Sequence, residues 1–90
     1  MGVTILIPHL QIRLICHNLS LTGCFFPASD LGPVGETFFL VIDPPEIGLI
    51  SVEARIVHKG EDGKGSGFEF ISMDPGDEQK LSFFLDIFKT

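Results

Sequence analysis

Ile50, Val52, Ala54 and Ile56 alternate with Ser51, Glu53 and Arg55. A period of two sends successive side chains to opposite faces, so this stretch forms a strand with one buried and one wet face. Much of the chain follows the same rule. Val3 to Ile7 is apolar and β-branched until Pro8-His9 breaks the run. Ile12, Leu14 and Cys16 alternate with Arg13, Ile15 and His17. Asn18 to Thr22 is turn-prone and leads into Gly23-Cys24-Phe25-Phe26, a short apolar strand. Pro27 to Gly35 contains two Pro and two Gly and forms a loop. Thr37 to Ile42 is too short for a helix and is stopped by Asp43-Pro44-Pro45. Lys59 to Gly65 reads as a hairpin turn pivoting at Asp62-Gly63, with Gly67 to Ile71 as the returning strand.

The period changes at the C-terminal end. Asp74 suits an N-cap, Pro75 the first helical position, and Asp77 and Glu78 the positive end of the helix dipole. Leu81, Phe84, Leu85 and Phe88 then form one apolar stripe. About six strands with frequent Gly/Pro turns, followed by one helix, predict a mainly β fold. The expected architecture is a small six-stranded antiparallel barrel, closed or plugged by a C-terminal helix. Ninety residues bound this to a single domain over 1–90, and 44% apolar residues suffice for a packed core.

Charge narrows the function. Six basic against twelve acidic side chains give a net charge of −6. Nucleic acids and anionic membranes both require dense Lys/Arg surfaces, so neither is an expected partner. The sequence contains no apolar run of about 20 residues, the length that spans a bilayer. It also lacks a secretory start, and the chain is read as cytoplasmic. Cys16 and Cys24 are too few for a disulfide framework or a four-cysteine zinc site and are read as free thiols. His9, His17 and His58 are scattered and match no metal pattern. No serine sits in a nucleophile elbow, and an acidic chain offers little to activate a cysteine. The chain is therefore not expected to be an enzyme, and no catalytic residue, metal or cofactor is assigned. The glycines from Gly60 to Gly67 lack the Gly-Lys-Ser/Thr ending of a phosphate loop and suit a turn.

The informative segment is Asn18-Leu19-Ser20-Leu21-Thr22-Gly23. Read as structure, Asn18 and Ser20 bond nearby backbone amides, while Gly23 permits a close backbone approach or a positive φ. Read as a site, an amide and a hydroxyl at a strand end can bond a purine edge or a phosphate oxygen.

With its Asn18-x-Ser20-x-x-Gly23 motif followed by Cys24-Phe25-Phe26, the chain resembles the PilZ domain family. The pair of strands Ile50–His58 and Gly67–Ile71, the Ser72-Met73-Asp74-Pro75 segment and the helix to Phe88 extend the similarity over nearly the whole chain. The resemblance implies a six-stranded barrel with a C-terminal helix, serving cyclic di-GMP signalling in motility, pili or exopolysaccharide regulation. In nucleotide-binding members an Arg-x-x-x-Arg arm clamps the phosphates, and the Asp/Asn-x-Ser-x-x-Gly ledge contacts the ligand. Carried over, Asn18, Ser20 and Gly23 are the candidate cyclic di-GMP contacts, with Arg13, the one cation preceding them, as a further candidate.

The 90 residues contain no Arg-x-x-x-Arg. The resemblance therefore implies an adaptor with weak or no nucleotide binding that contacts a regulatory or motility protein. The alternative is a true receptor domain whose arginine arm lies outside these 90 residues or is supplied by another segment. Nine Phe residues bear on the adaptor reading. In Phe25-Phe26 and Phe38-Phe39 both rings cannot face inward on a strand, so one of each is expected at a surface or interface; Phe83-Phe84 poses the same question on the helix.

Overall fold

A computed structural model of the chain describes residues 2–16, 18–27, 31–60 and 65–88. The strands are β1 (Val3–Ile7), β2 (Ile12–Cys16), β3 (Asn18–Leu19), β4 (Gly23–Phe26), β5 (Thr37–Asp43), β6 (Ile50–Lys59) and β7 (Ser66–Ser72). A 3₁₀ turn over Pro8–Leu10 joins β1 to β2, and helix α1 spans Pro75–Phe88. The seven strands form one sheet in the order β2-β1-β5-β6-β7-β4-β3, and every neighbouring pair is antiparallel.

Seven strands rather than six reflects a change of partner. β2 and β3 flank position 17 and are consecutive in the chain, yet β2 pairs with β1 and β3 with β4. The two ends of the sheet are thus held by one stretch of chain, and the sheet curls into a nearly closed barrel. At this seam the Cys16 thiol donates to the Phe25 carbonyl at 3.5 Å. Asn18 and Leu19, expected in a turn, are extended because their ladder to Phe25 and Cys24 continues up to the turn itself.

Alternation holds where it matters for packing. On β5, Phe38, Leu40 and Ile42 are buried, while Phe39 is 65% exposed. On β6, Ile50, Val52, Ala54 and Ile56 are buried, as the period required. Phe26 and Phe68 meet edge to face in the core at 5.5 Å. The register of β6 against β7 shifts between Glu53 and Ala54 and again between Ile56 and His58. Such shifts bend and twist a strand, as a small barrel requires.

Helix α1 buries Leu81 and Phe84 against the core and half-buries Leu85. Phe83 lies on the other side, 60% exposed. The helix therefore leaves both Phe39 and Phe83 uncovered. No helix among the described residues is long and apolar enough to cross a membrane. The expected pivot at Asp62-Gly63, His17 and the Phe88 side chain lie outside the described residues. At the base of the β6–β7 connection, the Gly60 amide donates to the Gly65 carbonyl at 3.1 Å.

Candidate functional site

The Asn18-x-Ser20-x-x-Gly23 segment is the β3–β4 hairpin. The Ser20 amide donates to the Gly23 carbonyl at 2.9 Å. The Ser20 hydroxyl accepts from the amides of Thr22 and Gly23, each at 3.2 Å. It also lies 3.2 Å from both Thr22 Oγ1 and the Gly23 carbonyl, either of which can take its single proton. A hydroxyl offers one donor and two acceptor positions, so Ser20 is fully engaged in holding the turn. The Phe70 amide donates to the Thr22 carbonyl at 2.8 Å, anchoring the turn to β7.

Gly23 is required by a close approach, not by a positive φ; among the described residues the glycines with positive φ are Gly32, Gly35, Gly48 and Gly65. A Cβ at Gly23 would collide with the Phe68 carbonyl oxygen. The absent side chain lets β4 lie against β7. Of the three motif residues, Asn18 alone keeps an exposed side chain not used by the turn.

Register places other residues on the same outer wall. Asn18 faces Phe25, Phe25 faces Gly67, and Gly67 faces His58. The Phe25 and His58 rings stack at 6.0 Å and an interplanar angle of 19°, passing over Gly67, where a Cβ would collide with the imidazole. In the adjacent row Gly23 faces Glu69 and Glu69 faces Arg55. Arg55 Nη2 lies 3.6 Å from Glu69 Oε1.

Arg13 is elsewhere. It is exposed on β2 opposite Leu6 and lines a shallow cavity of about 430 Å³ with Leu6 and Ile7 of β1, Pro8, Gln11 and Ile12. None of Asn18, Ser20 or Gly23 lines that cavity. The arginine that shares the motif's wall is Arg55. Its signal was its wet position in the alternation of β6, opposite Glu69 once the β6–β7 hairpin is paired.

Cys16 and Cys24 are both buried at the seam. A hydrogen bond from the Cys24 thiol, together with the Asn18 and Phe25 backbone, lowers Cys16 to about 7 against the opposing effect of burial. Cys24 is pushed up, first by that hydrogen bond and then by burial. An acidic chain offers little charge to lower a cysteine pKa; here the neighbouring thiol does so. Both sulfurs remain shielded, with Cys16 only 1% exposed, and reactive cysteines are partly open to solvent. Among the described residues no group of His, Cys, Asp and Glu is placed to hold a metal ion.

A family model described as PilZ domain matches residues 1–86. No curated protein matches the chain. Among solved structures, the Bacillus subtilis inhibitor of motility (MotI/DgrA) is similar, with a TM-score of 0.78 and 23% identity over 97% of this chain. The match covers 46% of that protein, so this chain spans less than half its length.

Proposed function

The chain belongs to the PilZ domain family, and on that footing we propose that it is a signalling module of the cyclic di-GMP system acting mainly through protein contacts. Taken alone, its barrel holds the nucleotide weakly or not at all. One observation carries this reading: the wall around Gly23 presents the Glu69 carboxylate, and Glu69 pairs with Arg55, the arginine on that wall.

Cyclic di-GMP is a dianion. Arginine forks neutralise and orient phosphates by paired, charge-assisted hydrogen bonds. Here the ligand meets a carboxylate beside the ledge and a chain of net charge −6. The motif offers the Asn18 amide and exposed turn backbone. Neutral hydrogen bonds contribute about 0.5–1.5 kcal/mol each, whereas micromolar affinity needs about 8 kcal/mol. A few of them fall short even before the cost of association.

A second reading is supported by the Asn18 wall. The Phe25–His58 stack beside Asn18 is a flat surface suited to a purine. With an arginine pair supplied by another segment, the same wall would serve a true receptor. Isothermal titration of the 90-residue chain with cyclic di-GMP separates the two. The adaptor reading expects no saturable heat in the micromolar range; micromolar or tighter binding overturns it. The proposed partner is a regulatory or motility protein of the cytoplasm, with control of pili or exopolysaccharide as other outputs. The module is proposed to bind rather than to catalyse.

A further inference from the structure

The outer face of the sheet carries apolar side chains on β1 and β5 and again on β7, with no covering element among the described residues; between them β6 presents Ser51 and Glu53. Leu6 faces Val41 across β1 and β5, and both are half-buried. Phe39 follows two positions before Val41 on β5 and is 65% exposed. Ile71, exposed on β7, adjoins Ser72, which faces Glu53. Phe39 faces Glu53 directly. A groove of about 260 Å³ opens there, with Phe39, Met73 and Ser72 lining it alongside the carboxylates of Glu53, Asp74 and Asp77. Asp74 and Asp77 come from the start of α1, so sheet and helix together build this acidic border. Glu53 and Asp77 are only half-exposed.

The chemistry selects the occupant. An exposed ring costs free energy in water and attracts apolar or cationic groups. Carboxylates at a partly buried position attract cations more strongly than fully solvated ones. Arg55, next along the wet face of β6, is paired with Glu69 and does not line the groove. A second copy of the chain would bring like charges together around the same ring. We propose that this face docks a segment of a partner protein in which arginines alternate with apolar residues. The arginines pair with Glu53, Asp74 and Asp77, one guanidinium stacks on Phe39, and the partner's apolar side chains lie on those of the sheet. This proposal rests on the protein-contact reading given above and locates its surface.

The test is an amide-resolved NMR titration of the ¹⁵N-labelled 90-residue chain, without nucleotide. The probe is a short synthetic peptide alternating leucine and arginine; the control carries glutamate in place of arginine. The expected result is saturable shifts at Phe39, Glu53 and residues 72–77, with none from the control. Phe39→Thr is expected to weaken binding about tenfold or more, as for an interface anchor. Glu53→Gln combined with Asp77→Asn is expected to weaken it similarly and to flatten its salt dependence. Shifts centred elsewhere, equal response to the control, indifference to both variants, or self-association through these amides would overturn the proposal. A flat peptide titration alongside a flat cyclic di-GMP titration removes this surface and leaves the protein-contact reading standing. Tight nucleotide binding removes that reading whatever the peptide does.

Discussion

The β3–β4 turn and the Phe39 groove make opposite use of their side chains. In the turn, polar groups bond one another: Ser20 serves Thr22 and Gly23, and Thr22 is tied to Phe70. In the groove, a large ring stands 65% exposed between carboxylates. The recognisable motif is thus mostly committed to folding, while the proposed docking surface carries no motif. A local pattern marks where the backbone needs particular residues, which is not always where a ligand finds free ones.

The largest effect that can break this contrast is at Gly23. Gly23→Val puts carbon against the Phe68 carbonyl, and overpacking of this kind costs about 1–3 kcal/mol, with a backbone neighbour that cannot swing aside placing it at the upper end. Urea unfolding checks it; an unchanged midpoint would mean that the turn is not built around that approach.

The seam beside the turn has a pH signature. Cys16, lowered to about 7 from its usual 9.0, loses its proton in the folded state first. Between about pH 7 and 9 the unfolded chain holds more protons, so this group makes stability rise with pH. Above about 9 the unfolded chain has lost both thiol protons, while folded Cys24, pushed up, keeps its own; stability then falls. Denaturation series for the wild type and Cys16→Ser across this range should differ by that rise. Parallel curves would remove the thiol pair as its source.

Ser20→Ala removes an acceptor shared by two amides in an exposed turn, a loss of about 1 kcal/mol. Phe39→Thr should change stability by no more than about 0.5 kcal/mol, as for surface positions generally. If Phe39→Thr costs more than Ser20→Ala in the same assay, the ring is structural and the contrast collapses. The smallest expected effect sharpens it: Glu69→Gln frees Arg55 beside Gly23. It should raise the affinity for cyclic di-GMP detectably, by calorimetry at low salt, without moving stability.

Much of the fold was legible. Period-two alternation located β6 and β2, and the capping signals at Asp74 and Pro75 located α1, which begins at Pro75. The strand pair at positions 12–19 was not legible as two strands, because a change of pairing partner is a long-range event with no local signature. Gly23 was flagged correctly, but its reason depends on Phe68, far along the chain. The Arg55–Glu69 pair and the Cys16–Cys24 contact were missed for the same cause. Each requires the register of strands that the sequence places only approximately. The exposed Phe39 was anticipated in kind, since adjacent phenylalanines on a strand cannot share one face. Its acidic border was not, because Asp74 and Asp77 arrive from the helix.

On the proposed reading, this barrel wall lacks the positive charge to hold a dianion unaided. An amide-resolved titration of the 90-residue chain with cyclic di-GMP tests it at the residues concerned. Small, non-saturating shifts are expected at Asn18, Ser20 and Gly23 up to about 1 mM, the affinity that about 4 kcal/mol allows. Saturation of those amides at micromolar nucleotide would contradict it.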